Sequence, residues 1–109
     1  MASWCTIVYD RSFDTLLRTI EDGILGGSVS ATLEGSEDMR EGNARCAVRV
    51  FERYSWVGGN RLSLSVTLFQ NDGGPVRVSA ITAGGSQALF WKVNTWGEET
   101  FLDKFRALL

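Results

Sequence analysis

The stretch Ala44-Arg45-Cys46-Ala47-Val48-Arg49-Val50-Phe51-Glu52-Arg53-Tyr54 alternates along its length, and the face it buries decides how the chain folds. Ala44, Cys46, Val48, Val50 and Tyr54 project one way, with Glu52 as the exception. Arg45, Ala47, Arg49, Phe51 and Arg53 project the other way. A period of two marks a strand with unlike faces. Downstream, Gly58-Gly59-Asn60 closes a hairpin into Leu62, Leu64, Val66 and Leu68, which alternate with Ser63, Ser65, Thr67 and Phe69. Asn71-Asp72-Gly73 closes another into Val76, Val78 and Ala80. Two-residue turns would pair even positions with odd ones, and a slip of one residue inverts every side chain. Three-residue loops with Gly in the left-handed position keep the even set together. That register puts Val48, Val50, Leu64, Val66, Leu68 and Val78 in the core.

Upstream, Val29, Ala31 and Leu33 alternate with Ser28, Ser30 and Thr32 as a short strand, and the polar run Gly35–Asn43 reads as a loop. Before it, Phe13, Leu16, Leu17, Ile20 and Ile24 recur at helical spacing. Asp10 or Ser12 caps that helix, and Gly26-Gly27 stops it. Trp4 to Tyr9 is short and β-rich, a strand or an extended lead-in. Near the other end, Ala88 to Val93 reads as one more strand. Thr95-Trp96-Gly97-Glu98 has the form of a capping box opening a helix with Phe101, Leu102, Phe105 and Leu108 on one stripe. The expected architecture is one α+β domain over residues 1–109. It is an antiparallel β-meander of four to five strands, with an N-terminal and a C-terminal helix packed on one face.

Composition narrows the function. The chain has 109 residues, 44% hydrophobic and 22% charged, as in an ordinary globular protein. Eleven Lys and Arg against 13 Asp and Glu give no bulk attraction to nucleic acid or anionic lipid. Neither a leader-like N-terminus nor an apolar run of membrane-spanning length is visible, so no membrane partner is expected and the expected location is cytoplasmic. With no His, a Cys-His nucleophile is excluded and a zinc site has nothing to stand on. Cys46 reads as a small buried hydrophobe, and a pair with Cys5 forms only if the fold brings them together. No cofactor is expected.

Three features are candidate sites. The first is the sheet face left open by the helices, expected to carry Arg45, Arg49, Phe51, Arg53, Phe69, Arg77 and Ile81. Arginines interleaved with aromatics resemble single-strand RNA readers, but a solvated face or a protein partner's surface fits the near-neutral charge better. The second is Gly84-Gly85-Ser86, an anion nest or, more simply, a tight bend, because an apolar strand-like run follows it instead of the helix a phosphate loop needs. The third is the acidic group Glu34, Glu37, Asp38 and Glu41, which lacks the pattern of a calcium loop and reads as solvated charge. The four tryptophans, Trp4, Trp56, Trp91 and Trp96, read as anchors around the core, with a ring-lined pocket as the alternative.

The run Ile81-Thr82-Ala83-Gly84-Gly85-Ser86-Gln87-Ala88, then Phe90-Trp91-Lys92, then Asn94-Thr95-Trp96-Gly97-Glu98-Glu99, resembles a family of short bacterial proteins, domain of unknown function 6054. The resemblance implies a bacterial, cytosolic protein and transfers no activity or site residue. A weaker, architectural likeness is to the helix-grip ligand carriers, in which a C-terminal helix lies across a curled sheet. The favoured expectation is a non-catalytic interaction module that pairs with itself, as a homodimer, or with another protein through the open face; nucleic acid is not expected. The alternative is a carrier of a small apolar ligand between the sheet and the C-terminal helix, near Phe105 and Trp96. An enzyme working without His ranks third.

Overall fold

The computed structural model describes residues 1–27, 30–54, 61–84 and 91–109, as backbone only over 91–98. Five strands and two helices follow in the order β1 (Ala2–Val8), α1 (Phe13–Gly26), β2 (Thr32–Glu41), β3 (Ala44–Tyr54), β4 (Arg61–Asn71), β5 (Val76–Gly84) and α2 (Trp91–Arg106). The strands form one antiparallel sheet in the order β1-β5-β4-β3-β2. Strands β2 to β5 are the expected meander. Strand β1 lies beside β5, so the segment carrying α1 crosses from one edge of the sheet to the other.

Helix α1 starts where Ser12 accepts a 3.1 Å hydrogen bond from the Thr15 amide, the cap that satisfies a first-turn donor. Of the two candidate caps, Ser12 is the one used. Its apolar stripe, Phe13, Leu16, Leu17, Ile20 and Ile24, is buried. Leu62, Leu64, Val66 and Leu68 of β4, Val76, Val78 and Ala80 of β5, and Phe101, Leu102 and Phe105 of α2 close the same core. Both helices therefore pack on one face of the sheet.

Three expectations are corrected. The polar run Gly35–Asn43 is not a loop: Thr32–Glu41 is a strand, paired with β3 through a two-residue turn at Gly42-Asn43. Gly42 takes φ +56°, as a tight hairpin of the primed type requires at its first central position. As an edge strand exposed on most of its length, β2 has no apolar face to produce alternation. The reading of Ala88–Val93 as a strand also fails where it can be compared, because Trp91, Lys92 and Val93 belong to α2. Residues 88–90 lie outside the described residues. The Thr95–Glu98 box therefore falls inside the helix rather than at its start.

The third correction concerns register. Strand β3 pairs with β4 as Phe51↔Leu64, Arg49↔Val66 and Ala47↔Leu68, so its odd positions share a face with the even positions of β4. The six residues 55–60 between the Tyr54↔Arg61 pair, an even number, set that parity. Between β4 and β5 the pairs Leu64↔Thr82 and Val66↔Ala80 keep even with even, as expected. Val48 and Val50 consequently leave the core, and Ala47 and Phe51 enter it.

Candidate functional site

The register sorts the predicted surface residues into two groups. Arg45, Arg49, Phe51 and Arg53 are on the helix side of the sheet, not on the open face. Phe51 is fully buried. The arginines lay their stems along the core edge and hold their heads in place individually. Arg45 stacks 3.8 Å above the Phe13 ring and donates to Asp14 at 3.0 Å. Arg49, 7% exposed, donates to both oxygens of Asp38 at 3.1 and 3.2 Å, to Glu21 at 3.4 Å and to the carbonyls of Glu37 and Val48. Arg53, 8% exposed, stacks 4.4 Å above Phe101, and its Nε has no partner among the described residues. Burial pushes its guanidinium below its ordinary pKa.

Phe69, Arg77 and Ile81 do lie on the open face, where the pairing arranges side chains in rows across all five strands. One row is Ile7–Arg77–Phe69–Cys46–Met39. The next is Cys5–Ser79–Thr67–Val48–Glu37, and the third is Ser3–Ile81–Ser65–Val50–Gly35. A fourth row runs Ala83–Ser63–Glu52–Thr32. Met39, Phe69 and Ile81 are 55%, 41% and 40% exposed, and Ile7, Cys46, Val48 and Val50 are half-buried. Met39, on a segment expected to be a loop, and Cys46, Val48 and Val50, expected in the core from an odd β3–β4 connection that is in fact even, also lie on this face.

Phe69 stands between two shallow hollows. One, of about 450 Å³, lies toward β1 and β5 among Cys5, Ile7, Thr67 and Arg77. The other, of about 440 Å³, lies toward β2 among Met39, Glu41, Ala44 and Cys46. Charge on the face is divided by strand. Arg77 sits on β5, whereas Glu37 and Glu41 sit on β2, and these three side chains have no ion-pair partner among the described residues. Glu52 is held by Arg61 at 2.9 Å.

Elsewhere the candidates thin out. Cys5 and Cys46 are free and three strands apart, about 14 Å at ~4.8 Å per strand, beyond the reach of a disulfide. Gly84 ends β5 with φ +126°; Gly85 and Ser86 of the possible nest lie outside the described residues. Of the tryptophans, Trp4 packs edge-on against Phe105 with centroids 6.1 Å apart. Trp56 and the side chains of Trp91 and Trp96 lie outside the described residues. Under α2, Phe101 and Phe105 are buried and in contact with the sheet side chains, filling the described part of the space a carried ligand would need. An open depression of about 800 Å³ runs along β1 beside the end of α2, between Trp4, Tyr9, Asp103 and Arg106.

Among the described residues, no group of three or more Cys, Asp or Glu side chains is placed to hold a metal ion. No helix among them is long and apolar enough to cross a membrane. Comparison with curated proteins and with solved structures finds no match. A family model does match, over residues 1–109 and so along the whole sequence: this chain belongs to the family of unknown function DUF6054.

Proposed function

We propose that this chain is a non-catalytic self-association module that pairs with a second copy through the open face of its sheet. The observation that carries the reading is an apolar cluster on one face, uncovered by either helix: Met39, Cys46, Phe69, Val48 and Val50 neighbour one another across β2, β3 and β4, with Ile7 beyond Arg77 and Ile81 beyond Ser65. Isolated exposed apolar residues are ordinary, but a contiguous patch of them marks a contact surface. Size supports it. Five strands at ~4.8 Å and four rows at ~6.8 Å give a face of roughly 650 Å². Two such faces bury about 1,300 Å², within the range of specific interfaces. The filled space between Phe105 and the sheet favours this surface over an internal carrier site.

The module works in a bacterial cytoplasm, where free thiols such as Cys5 and Cys46 stay reduced. The test is light scattering after size exclusion on the unmodified chain and on Phe69→Ser with Ile81→Ser. The unmodified chain should be a dimer. The double variant, which alters only exposed positions, should be a folded monomer by circular dichroism. A double variant that dimerises as well as the parent removes the open face from consideration.

A further inference from the structure

We infer that the two copies stack face to face about a two-fold axis that runs along β4, with Phe69 meeting the partner's Phe69 and Arg77 reaching the partner's Glu37. This rests on the self-association reading and adds its geometry. Two identical sheets packed in the aligned manner stack about an in-plane axis that lies close to the strand direction or across it, and the rows on the open face separate these cases.

An axis along β4 exchanges the flanking strands: β5 lies over the partner's β3, and β1 over the partner's β2. Each row then faces its own copy reversed. Ile81 meets Val50, Ile7 meets Met39, and Phe69 meets Phe69, apolar against apolar, while Val48 faces Ser79. On the axis itself stand Ser65 and Thr67, small hydroxyls that are both donors and acceptors and so are compatible with their own copies at close approach. Arg77 comes over the partner's Cys46, one strand and one row from Glu37, within the span of two long side chains. The same operation gives the second Arg77–Glu37 pair, so the unpaired charges on β5 and β2 are used twice.

An axis across the strands keeps each strand over its own copy and reverses the rows. Phe69 would meet Ser63, Cys46 would meet Glu52, and Met39 would meet Thr32. That stacking brings Val48 over Val50 but sets Phe69, Cys46, Met39 and Ile81 against polar groups, and it leaves Arg77 over Ala83, away from either carboxylate. The first arrangement is the self-complementary one. With the usual angle of about −30° between aligned sheets, its axis lies ~15° off β4, which leaves the central contacts in place.

Cysteine pairs read the geometry directly, in a background with Cys5→Ser and Cys46→Ser. Stacked sheets lie ~10 Å apart, beyond the span of a disulfide, so Ile81→Cys chains mixed with Val50→Cys chains should be joined into dimers by a short bis-maleimide. Ile81→Cys alone should not, because the two copies of that position lie two strands apart. As a second measurement, Arg77→Glu should weaken the dimer by about fivefold or more, and adding Glu37→Arg should restore it. A dimer by mass that fails to cross-link in the mixture, or that the charge exchange does not rescue, overturns this orientation while leaving self-association standing. A parent chain that is monomeric at every concentration overturns both.

Discussion

Phe51 and Phe69 lie on neighbouring strands and point to opposite sides of the sheet. Phe51 is wholly buried under the helices, whereas Phe69 stands 41% exposed between two hollows. Their substitutions should therefore separate folding from association. Phe51→Ala leaves a cavity in the core and should cost about 3–5 kcal/mol. Phe69→Ala should cost the monomer less than about 0.5 kcal/mol. Urea unfolding at low protein concentration measures both, and equal losses would show that the faces are assigned wrongly.

Arg49 ties β2 and α1 to the centre of the sheet through Asp38 and Glu21. Its own burial makes it the costly member of the cluster, because its removal deletes several charge-assisted bonds at once. Arg49→Ala should lose about 2–3 kcal/mol. Asp38 is largely exposed, so Asp38→Ala should lose less than about 1 kcal/mol. Denaturation midpoints of the two variants decide the order, and an Asp38 effect as large as that of Arg49 would contradict it.

Arg53 is a buried cation held over the Phe101 ring, with an unpaired Nε among the described residues. An apolar side chain of similar length keeps the packing and removes the desolvation. Arg53→Met should thus be neutral or stabilising by about 1 kcal/mol, while Arg53→Ala destabilises. The pH dependence follows from the lowered pKa. The unfolded chain holds this proton more tightly, so the charge costs stability below the folded pKa. That cost is relieved only as pH rises through the folded value toward the unfolded one. The window is strongly alkaline, and the Arg53→Met difference should stay constant across the neutral range. A difference that changes with pH there would mean that another titrating group is coupled to Arg53.

Gly84 closes β5 with φ +126°, and a Cβ at that position would lie 2.7 Å from the Arg61 carbonyl oxygen. Both the backbone angle and the contact penalise any side chain. Gly84→Ala should cost about 1–3 kcal/mol and loosen the β4–β5 pairing at that end. Amide exchange at Leu62 reports the loosening; unchanged stability and protection would show that the strand end adapts freely.

Much of this architecture was legible in the residues. Leu62 to Leu68 and Val76 to Ala80 alternate with small hydroxyls, so their buried faces are unambiguous. The stripe from Phe13 to Ile24 and the pair Phe101 and Phe105 mark two helices that must cover that face. Strand β3 was different, because hydropathy favours Cys46, Val48 and Val50 over a face with three arginines. The arginine stems nevertheless cover apolar surface, while Asp14, Glu21 and Asp38 receive two of the heads and Phe101 the third. Only the parity of the connection between Tyr54 and Arg61 distinguishes the two faces, and local pattern does not reveal it. Of the predicted surface, Phe69, Arg77 and Ile81 follow from β4 and β5; the other four follow β3 to the helix side.

The central claim is that the open face is covered by a second copy, and native mass spectrometry of the unmodified chain tests it most directly. The account predicts a species at twice the 12.0 kDa chain mass, with no added small molecule, growing with concentration. A monomer that stays monomeric at high concentration, or one that carries a retained small molecule, would contradict it.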